Sequence, residues 1–253
     1  GSDQYRGWFN SSIITGIATT GVSPYKENVT HGFVLDGEGR KMSKSLGNTV
    51  DPNKVFSQMG ADIFRLWVAS VEYNVDVRIS DEMLKQVAET YRKIRNTLRF
   101  LLANTSDFNP DTDRIALKDM PEVDQYMLVK LQKLINNVKD AYDHYSFQDV
   151  YRGVMNFITN TLSAFYLDFT KDILYIEEKK GLSRLSVQTV LYDVLMSLLK
   201  LLSPILPHTT TEAYDFVTGK KCDDIYLEEM PVEQELSGDQ LQLEANWDNF
   251  MKY

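Results

Sequence analysis

Lys41 and Lys44 stand three residues apart in the run Lys41-Met42-Ser43-Lys44-Ser45, preceded by Gly37-Glu38-Gly39-Arg40 and followed by Leu46-Gly47-Asn48. Two ammonium groups at that spacing on a glycine-flanked loop can converge on a polyphosphate, and the hydroxyls of Ser43 and Ser45 add donors. The arrangement suits a reaction that expels pyrophosphate, because negative charge grows on the leaving oxygens and fixed cations act most strongly there. A bare Lys-x-x-Lys is usually a solvated basic turn. The whole pentapeptide is a sharper signal, since at equal residue frequencies a chain of this length would hold it by chance roughly once in ten thousand.

A second basic group lies downstream. From Lys85 to Arg99 the chain carries Lys85, Arg92, Lys93, Arg95 and Arg99 against Glu89 alone. Lys85, Arg92 and Arg99 recur every seven residues and share one side of a helix, either as a solvated face or as a surface for phosphates. The total charge argues the other way. With 27 basic and 36 acidic residues the net charge is -9, which taken alone opposes a nucleic-acid partner, so the case for one rests on local charge.

The elements that must carry these groups come in two styles, with a boundary near Ser80. Residues 1–50 are glycine-rich and mix apolar runs with turn signals. There, Arg6 to Thr20 reads as a helix ending at Gly21, and Val29 to Leu35 as a strand that leads into the lysine loop. Strand-to-loop passages of this kind are where α/β folds handle phosphate. Pro52 opens a short helix, and a second runs from Ala61 to Val71.

Beyond Ser80 the pattern is helical. Ser80 caps a helix striped by Leu84, Val87, Tyr91, Ile94, Leu98 and Leu101. A polar loop from Asn104 to about Met120 precedes a second stripe of Leu128, Leu131, Ile135, Val138, Tyr142 and Tyr145. Val150 to Ile176 continues in helical style, and Ser183 is expected to cap a helix lined by Val187, Leu191, Val194, Leu198 and Leu201. Pro204 and Pro207 end it, with a restart over Thr209 to Phe216. Four long amphipathic helices with short or polar connections imply a bundle. Glu228 to Tyr253, with seven acidic residues and one lysine, carries no evident helix cap and reads as the start of a further, truncated region.

The remaining composition sets bounds. A length of 253 residues and 43% hydrophobic content allow one large or two ordinary domains with packed cores. The longest apolar stretch, Val190 to Leu202, is broken by Asp193 and Lys200 and is shorter than the ~20 residues of a membrane span, so a soluble chain is expected. Cys222 is the single cysteine, which excludes an internal disulfide and suits a reducing cytoplasm; its expected state is an inert thiol. His31, His144 and His208 are scattered, so no histidine metal site is expected. The first residues lack both a methionine and the features of a signal peptide, as in a piece of a longer protein.

The lysine run is identical to the Lys-Met-Ser-Lys-Ser signature of the class I aminoacyl-tRNA synthetases, and the chain resembles that family. Three segments make it most similar to the isoleucyl branch. Gly1-Ser2-Asp3-Gln4-Tyr5-Arg6-Gly7-Trp8-Phe9 looks like the lining of the aminoacyl-adenylate pocket. Tyr73 to Ser80, with Asp76-Val77-Arg78-Ile79-Ser80, resembles the link from catalytic core to helical domain, and Ser203-Pro204-Ile205-Leu206-Pro207-His208-Thr209 the end of the anticodon-binding bundle. All four motifs stand in the family order.

The resemblance implies a mainly α, multidomain fold. Residues 1–80 would be the end of a Rossmann-like α/β catalytic domain, 81–220 an α-helical anticodon-binding domain, and 221–253 the start of a carboxy-terminal junction. It implies ATP as a substrate, with Mg²⁺ accompanying it, and isoleucine and tRNA(Ile) as partners of a monomeric ligase. Lys41 and Lys44 would be catalytic. Lys41, Met42, Ser43, Lys44, Ser45 and His31 would bind ATP; Gly1, Asp3, Gln4 and Trp8 would surround the adenylate; Lys85, Arg92, Arg95 and Arg99 would contact tRNA.

Zinc, present in many longer members, is not expected in this stretch. The family's His-Ile-Gly-His signature and its editing insertion are also absent from these residues, so the stretch alone is expected to be inactive. The valyl and leucyl relatives remain the nearest alternatives. An RNA-binding module without chemistry would leave the lysine run unexplained, as would a helical scaffold for protein partners.

Overall fold

In the computed structural model, which describes residues 1–252, Pro52 and Ser80 open helices for readable reasons. Asp51 caps α2 (Pro52–Met59) by accepting from the Asn53 N–H, and the proline supplies a fixed φ where no N–H is needed. Gly60, at φ +88°, turns the chain into α3 (Ala61–Ser70). Ser80 accepts from the Met83 N–H at 3.3 Å and starts α4 (Asp81–Asn104). Before them lies α1 (Trp8–Thr20), closed by Gly21 in the left-handed region.

The expected strand from Val29 is shorter than its residue types suggest. Only Val34–Leu35 (β1) and Val77–Arg78 (β2) form a ladder, parallel and two residues long. Gly32 and Phe33 are held to the same neighbour by other means: the Gly32 N–H reaches the Tyr73 carbonyl, and the Phe33 N–H reaches the Asp76 carboxylate at 2.7 Å. A Cβ on Gly32 would lie 2.2 Å from the Val75 backbone, so only glycine admits this approach.

The rest of the described chain is helical. After α4 come α5 (Glu122–Asp143), α6 (Phe147–Asn156), α7 (Asp168–Ile176), α8 (Leu182–Leu202), α9 (Pro207–Tyr214) and α10 (Gly238–Phe250). A π-helical stretch, Phe157–Leu167, joins α6 to α7 without leaving helical backbone angles at either end, so the three make one rod. The α4, α5 and α8 helices pack with this rod as the expected bundle, and α3 packs on both α4 and α6. Leu84, Val87, Ile94, Leu98 and Leu101 of the first stripe are all buried, and Tyr91 spends its hydroxyl on Thr209 at 2.8 Å.

Several expectations are corrected. Gly181, not Ser183, is the cap of α8, and Ser183 lies inside its first turn. Tyr145 lies beyond the end of α5 and is 41% exposed, with φ +56°; the helical period breaks at His144, so the stripe does not reach it. The acidic tail is not capless, because Ser237 and Gln240 form a reciprocal capping box that starts α10. That helix packs on α5 through Lys130 and Lys133, which hold Glu244, and through stacking of Trp247 on Tyr126. Taken whole, α8 does meet the length and apolarity of a membrane span, but 78% of its most apolar window is buried inside the bundle. It is the core helix, apolar nearly all round because its neighbours cover it.

Within that core sits a carboxylate. Asp124 is 1% exposed and accepts from Tyr166 Oη at 2.7 Å and from Ser186 Oγ at 2.5 Å, with no cation beside it. Burial raises its pKa against the lowering effect of those two hydroxyls. A carboxyl whose folded pKa lies above its unfolded value contributes stability at low pH and loses it as pH rises through the folded value. Replacing Asp124 by Asn should therefore become progressively more favourable, relative to wild type, as pH rises from the ordinary carboxylate range through the raised folded value. The change should approach about 1.4 kcal/mol for each unit between folded and unfolded pKa. Urea unfolding at several pH values measures it, and a difference independent of pH would refute the assignment.

Candidate phosphate loop and RNA face

The lysine run is organised by a residue outside it. Asp36, at the end of β1, is buried; its Oδ1 accepts from the backbone N–H groups of Glu38 at 3.1 Å and Arg40 at 2.8 Å. Its Oδ2 accepts from Arg40 Nε at 3.0 Å and from the Asn48 amide at 2.8 Å. Asn48 in turn accepts from the Ser43 N–H at 2.9 Å and donates to the Lys41 carbonyl at 3.3 Å. One carboxylate thus ties both ends of the loop. The Asn48 amide, with the backbone and guanidinium of Arg40, holds the Asp36 carboxyl well below the usual carboxylate range. Gly39, at φ +83°, passes under the Arg78 guanidinium, where a Cβ would lie 3.0 Å from it.

Lys41 and Lys44 are both exposed on this loop and make no ion pair among the described residues. Ser43 and Ser45 place their hydroxyls 3.1 Å apart, and Ser43 Oγ also accepts from the Leu46 N–H, so part of their capacity is used inside the loop. Met42 is half-buried against the core and anchors the loop from below.

The other expected site residues gather beside Lys41. Its ammonium lies 5.6 Å from the centre of the Phe33 ring, and a Cβ on Gly1 would meet the same ring at 3.3 Å. His31 Nε2 lies 3.3 Å from the Gly1 nitrogen, and Asp3 Oδ1 lies 3.7 Å from it. The Gln4 amide donates to Asp3 Oδ2 at 3.0 Å. Lys41 and Gly1 therefore meet at the Phe33 ring, and His31, Asp3 and Gln4 follow on from Gly1 through the contacts just given. Trp8, at the start of α1, donates its backbone N–H to Gln4 Oε1 at 3.2 Å and is 74% exposed. Motif and spacing do not single out Asp36, Asn48 or Phe33. Asp36 nonetheless carries a signal: an Asp-Gly-x-Gly turn places a carboxylate where it can accept from its own loop.

The basic stripe lies on the solvent side of α4. Arg92 pairs with Glu89, and Arg95 approaches Glu212 of α9 at 3.5 Å, both in exposed ion pairs. Lys85, Lys93 and Arg99 are exposed. Two surfaces result, a phosphate-sized cationic loop and a basic helix face, joined through β2 and α4. Among the described residues no group of three or more His, Cys, Asp or Glu side chains is placed to hold a metal ion.

The family model for the anticodon-binding domain of tRNA ligases matches residues 124–253, just over half the chain. The chain belongs to the anticodon-binding family of tRNA ligases. Residues 1–80 match the model for class I tRNA synthetases of the I, L, M and V type. An isoleucine–tRNA ligase of Bacillus mycoides (strain KBAB4) is 59% identical over 251 residues, and one of Listeria monocytogenes serotype 4b (strain F2365) is 55% identical over 252. These alignments cover 99% and 100% of the chain. The chain spans 27% of the length of each of those relatives.

Solved structures share the fold of this tRNA ligase stretch. The LeuRS of Agrobacterium radiobacter K84, in a ternary complex with tRNA and LeuAMS, matches with a TM-score of 0.69 and 21% identity, over 93% of the chain and 27% of that protein. A methionyl-tRNA synthetase of Mycobacterium tuberculosis bound to methionyl-adenylate matches with a TM-score of 0.68 and 19% identity, over 85% of the chain and 42% of that protein.

The clamp on the loop leads to a measurable expectation. In a complete ligase carrying this stretch, Asp36→Asn should slow isoleucine-dependent pyrophosphate exchange on the order of 10²-fold, because a loop displaced by about 1 Å misplaces its lysines. Asp36 is a positioning residue, so the loss should fall on kcat with the KM for isoleucine unchanged, alongside the modest earlier melting that follows from losing a carboxylate with a depressed pKa. Loop order should persist on acidification until pH falls through the depressed Asp36 value. A variant that melts earlier but exchanges normally would assign Asp36 to stability alone.

Proposed function

We propose that this chain is part of an isoleucine–tRNA ligase, supplying the loop that holds the triphosphate of ATP and the helical surface that receives tRNA(Ile). The observation that carries the reading is the loop clamped by Asp36 and Asn48, which carries Lys41 and Lys44 without an ion pair among the described residues and brings Lys41 to the Phe33 ring that Gly1 also borders. In the proposed reaction the isoleucine carboxylate attacks the α-phosphorus of ATP. The bond to the bridging oxygen breaks, pyrophosphate leaves, and the two ammonium groups neutralise charge growing on it. Mg²⁺ enters with the nucleotide. Asp3 is a suitable acceptor for ribose hydroxyls, and Trp8 forms a wall of the amino-acid pocket once the rest of the catalytic domain covers it.

In this reading residues 1–80 complete a Rossmann-like catalytic domain and the bundle holds the anticodon arm. The ligase acts as a monomer in the cytoplasm, where the single thiol of Cys222 stays reduced. The test is a chimera in which these residues replace the matching stretch of the Bacillus mycoides ligase. Retained isoleucine-dependent pyrophosphate exchange is the expected result. A folded chimera that exchanges only with valine or leucine, or with no amino acid, would overturn it.

A further inference from the structure

Phe216 sits just past the end of α9 with 70% of its surface exposed, although its neighbours are anchors: Tyr214 is fully buried with its hydroxyl donating to Glu228 at 2.7 Å, and Val217 is buried too. The backbone there is fixed by the Phe216 N–H to the Ala213 carbonyl and by the Val217 N–H to the Tyr214 carbonyl. The ring is therefore held outward on a rigid corner, where folding gains nothing from it. It borders a concave notch of about 190 Å³ between α4 and α9. Leu98, Thr209 and Ala213 are the buried residues of this notch, and Arg95, Arg99 and Glu212 stand exposed around it.

We infer that this notch is a stacking site for one unpaired nucleobase of RNA, with Phe216 as the platform and Arg99 as the cation for an adjoining phosphate. The inference rests on the tRNA-binding reading and adds to it a residue and a contact. An aromatic face accepts any base, and a guanidinium beside it can stack or hold a phosphate, which together are the parts a single-stranded site uses. Arg99 makes no ion pair among the described residues. Arg95 is braced by Glu212 at 3.5 Å, leaving a carboxylate at the rim that can accept from a base amino group. Charge complementarity selects the occupant: in a chain of net charge -9, an exposed aromatic beside two guanidinium groups favours a polyanion with flat apolar faces.

The experiment uses the 253-residue chain and anticodon stem-loops of tRNA(Ile) carrying 5-iodouridine at one loop position each, for photocrosslinking, together with anisotropy titrations. Wild type should crosslink through the peptide that contains Phe216 from one loop position. Phe216→Leu should abolish that crosslink and weaken binding about 5- to 100-fold, without changing the salt slope. Phe216→Trp should restore both, and Arg99→Ala should instead lower the slope by ~0.7. Because the ring is exposed, all variants should melt like wild type.

RNA binding that depends on the α4 arginines but is indifferent to Phe216→Leu would overturn the notch while leaving the tRNA reading intact. Absence of RNA binding by wild type would overturn both. A crosslink that maps to another peptide would also refute the stacking role.

Discussion

Lys44→Ala, introduced into a complete ligase carrying this stretch, should cut kcat for pyrophosphate exchange by about 10²- to 10³-fold, the usual cost of removing one fixed group that meets charge developing in the transition state. Lys44 is exposed and unpaired among the described residues, so its removal strands no partner and costs the fold little. Under the proposed function its charge would meet the ground-state triphosphate weakly through water and the departing pyrophosphate strongly once the site closes. The loss should accordingly appear in kcat with the KM for isoleucine unchanged. Lys44→Arg would keep the charge but not its compact geometry, and should recover only part of the rate. Exchange kinetics with both constants resolved decide the matter. A defect confined to the KM for isoleucine would move Lys44 out of the phosphate site.

Arg92, Arg95 and Arg99 replaced together by Ala should lower the slope of log K against log salt by about 2, at ~0.7 for each single-strand phosphate that is no longer neutralised. If binding near 1 M salt is taken as unaffected, affinity for an anticodon stem-loop at about 0.1 M salt falls about a hundredfold. The ion pairs to Glu89 and Glu212 do not protect against this loss, because exposed pairs are worth at most about 1 kcal/mol and a phosphate can displace the carboxylate. Fold should be unaffected, since Leu84, Ile94, Leu98 and Leu101 bury the opposite side of α4. Titrations of the 253-residue chain at several salt concentrations, with a scrambled RNA as control, give both quantities. An unchanged slope would place the RNA elsewhere on the bundle.

Much of this molecule could be read from residue types because its signals are local. Ser80 before an apolar stripe, Pro52 after Asp51 and Gly21 after Thr20 each fix one helix end by chemistry confined to three or four residues. The buried face of α4 follows from spacing alone, whereas the stripe on α8 marks only part of a helix that its neighbours bury on nearly every side. What escaped depends on contacts distant in sequence or on competing local options. The β1 ladder stops after two residues because its neighbour turns at Tyr73–Asp76, still bonded to Gly32 and Phe33 but outside the ladder pattern, and nothing in Val29 to Leu35 encodes that. Ser183 resembles a cap, but Arg184 reaches back to the Leu174 and Lys179 carbonyls and draws the start of α8 forward to Leu182.

The candidate site divides along the same line. Lys41 and Lys44 announce themselves by motif, whereas Phe33, which gathers Gly1 and Lys41 around one ring, looks like an ordinary strand aromatic until the fold brings thirty residues together. Asp36 was hidden for another reason. The Asp-Gly-x-Gly turn marks it as a carboxylate serving its own loop, but its bond to Asn48, twelve residues on, has no spacing to count.

Tyr145 turns the chain between α5 and α6 at a backbone angle that a bulky residue adopts at a cost of order 1–3 kcal/mol. What it holds lies in the other half of the molecule: its hydroxyl donates to Glu27 at 3.2 Å, and its carbonyl accepts from Tyr73 at 2.7 Å. The turn is thus tied to segments on either side of the lysine loop. The loop and the basic helix face consequently sit in one frame, with a single turn of the bundle hydrogen-bonded to segments on either side of the loop.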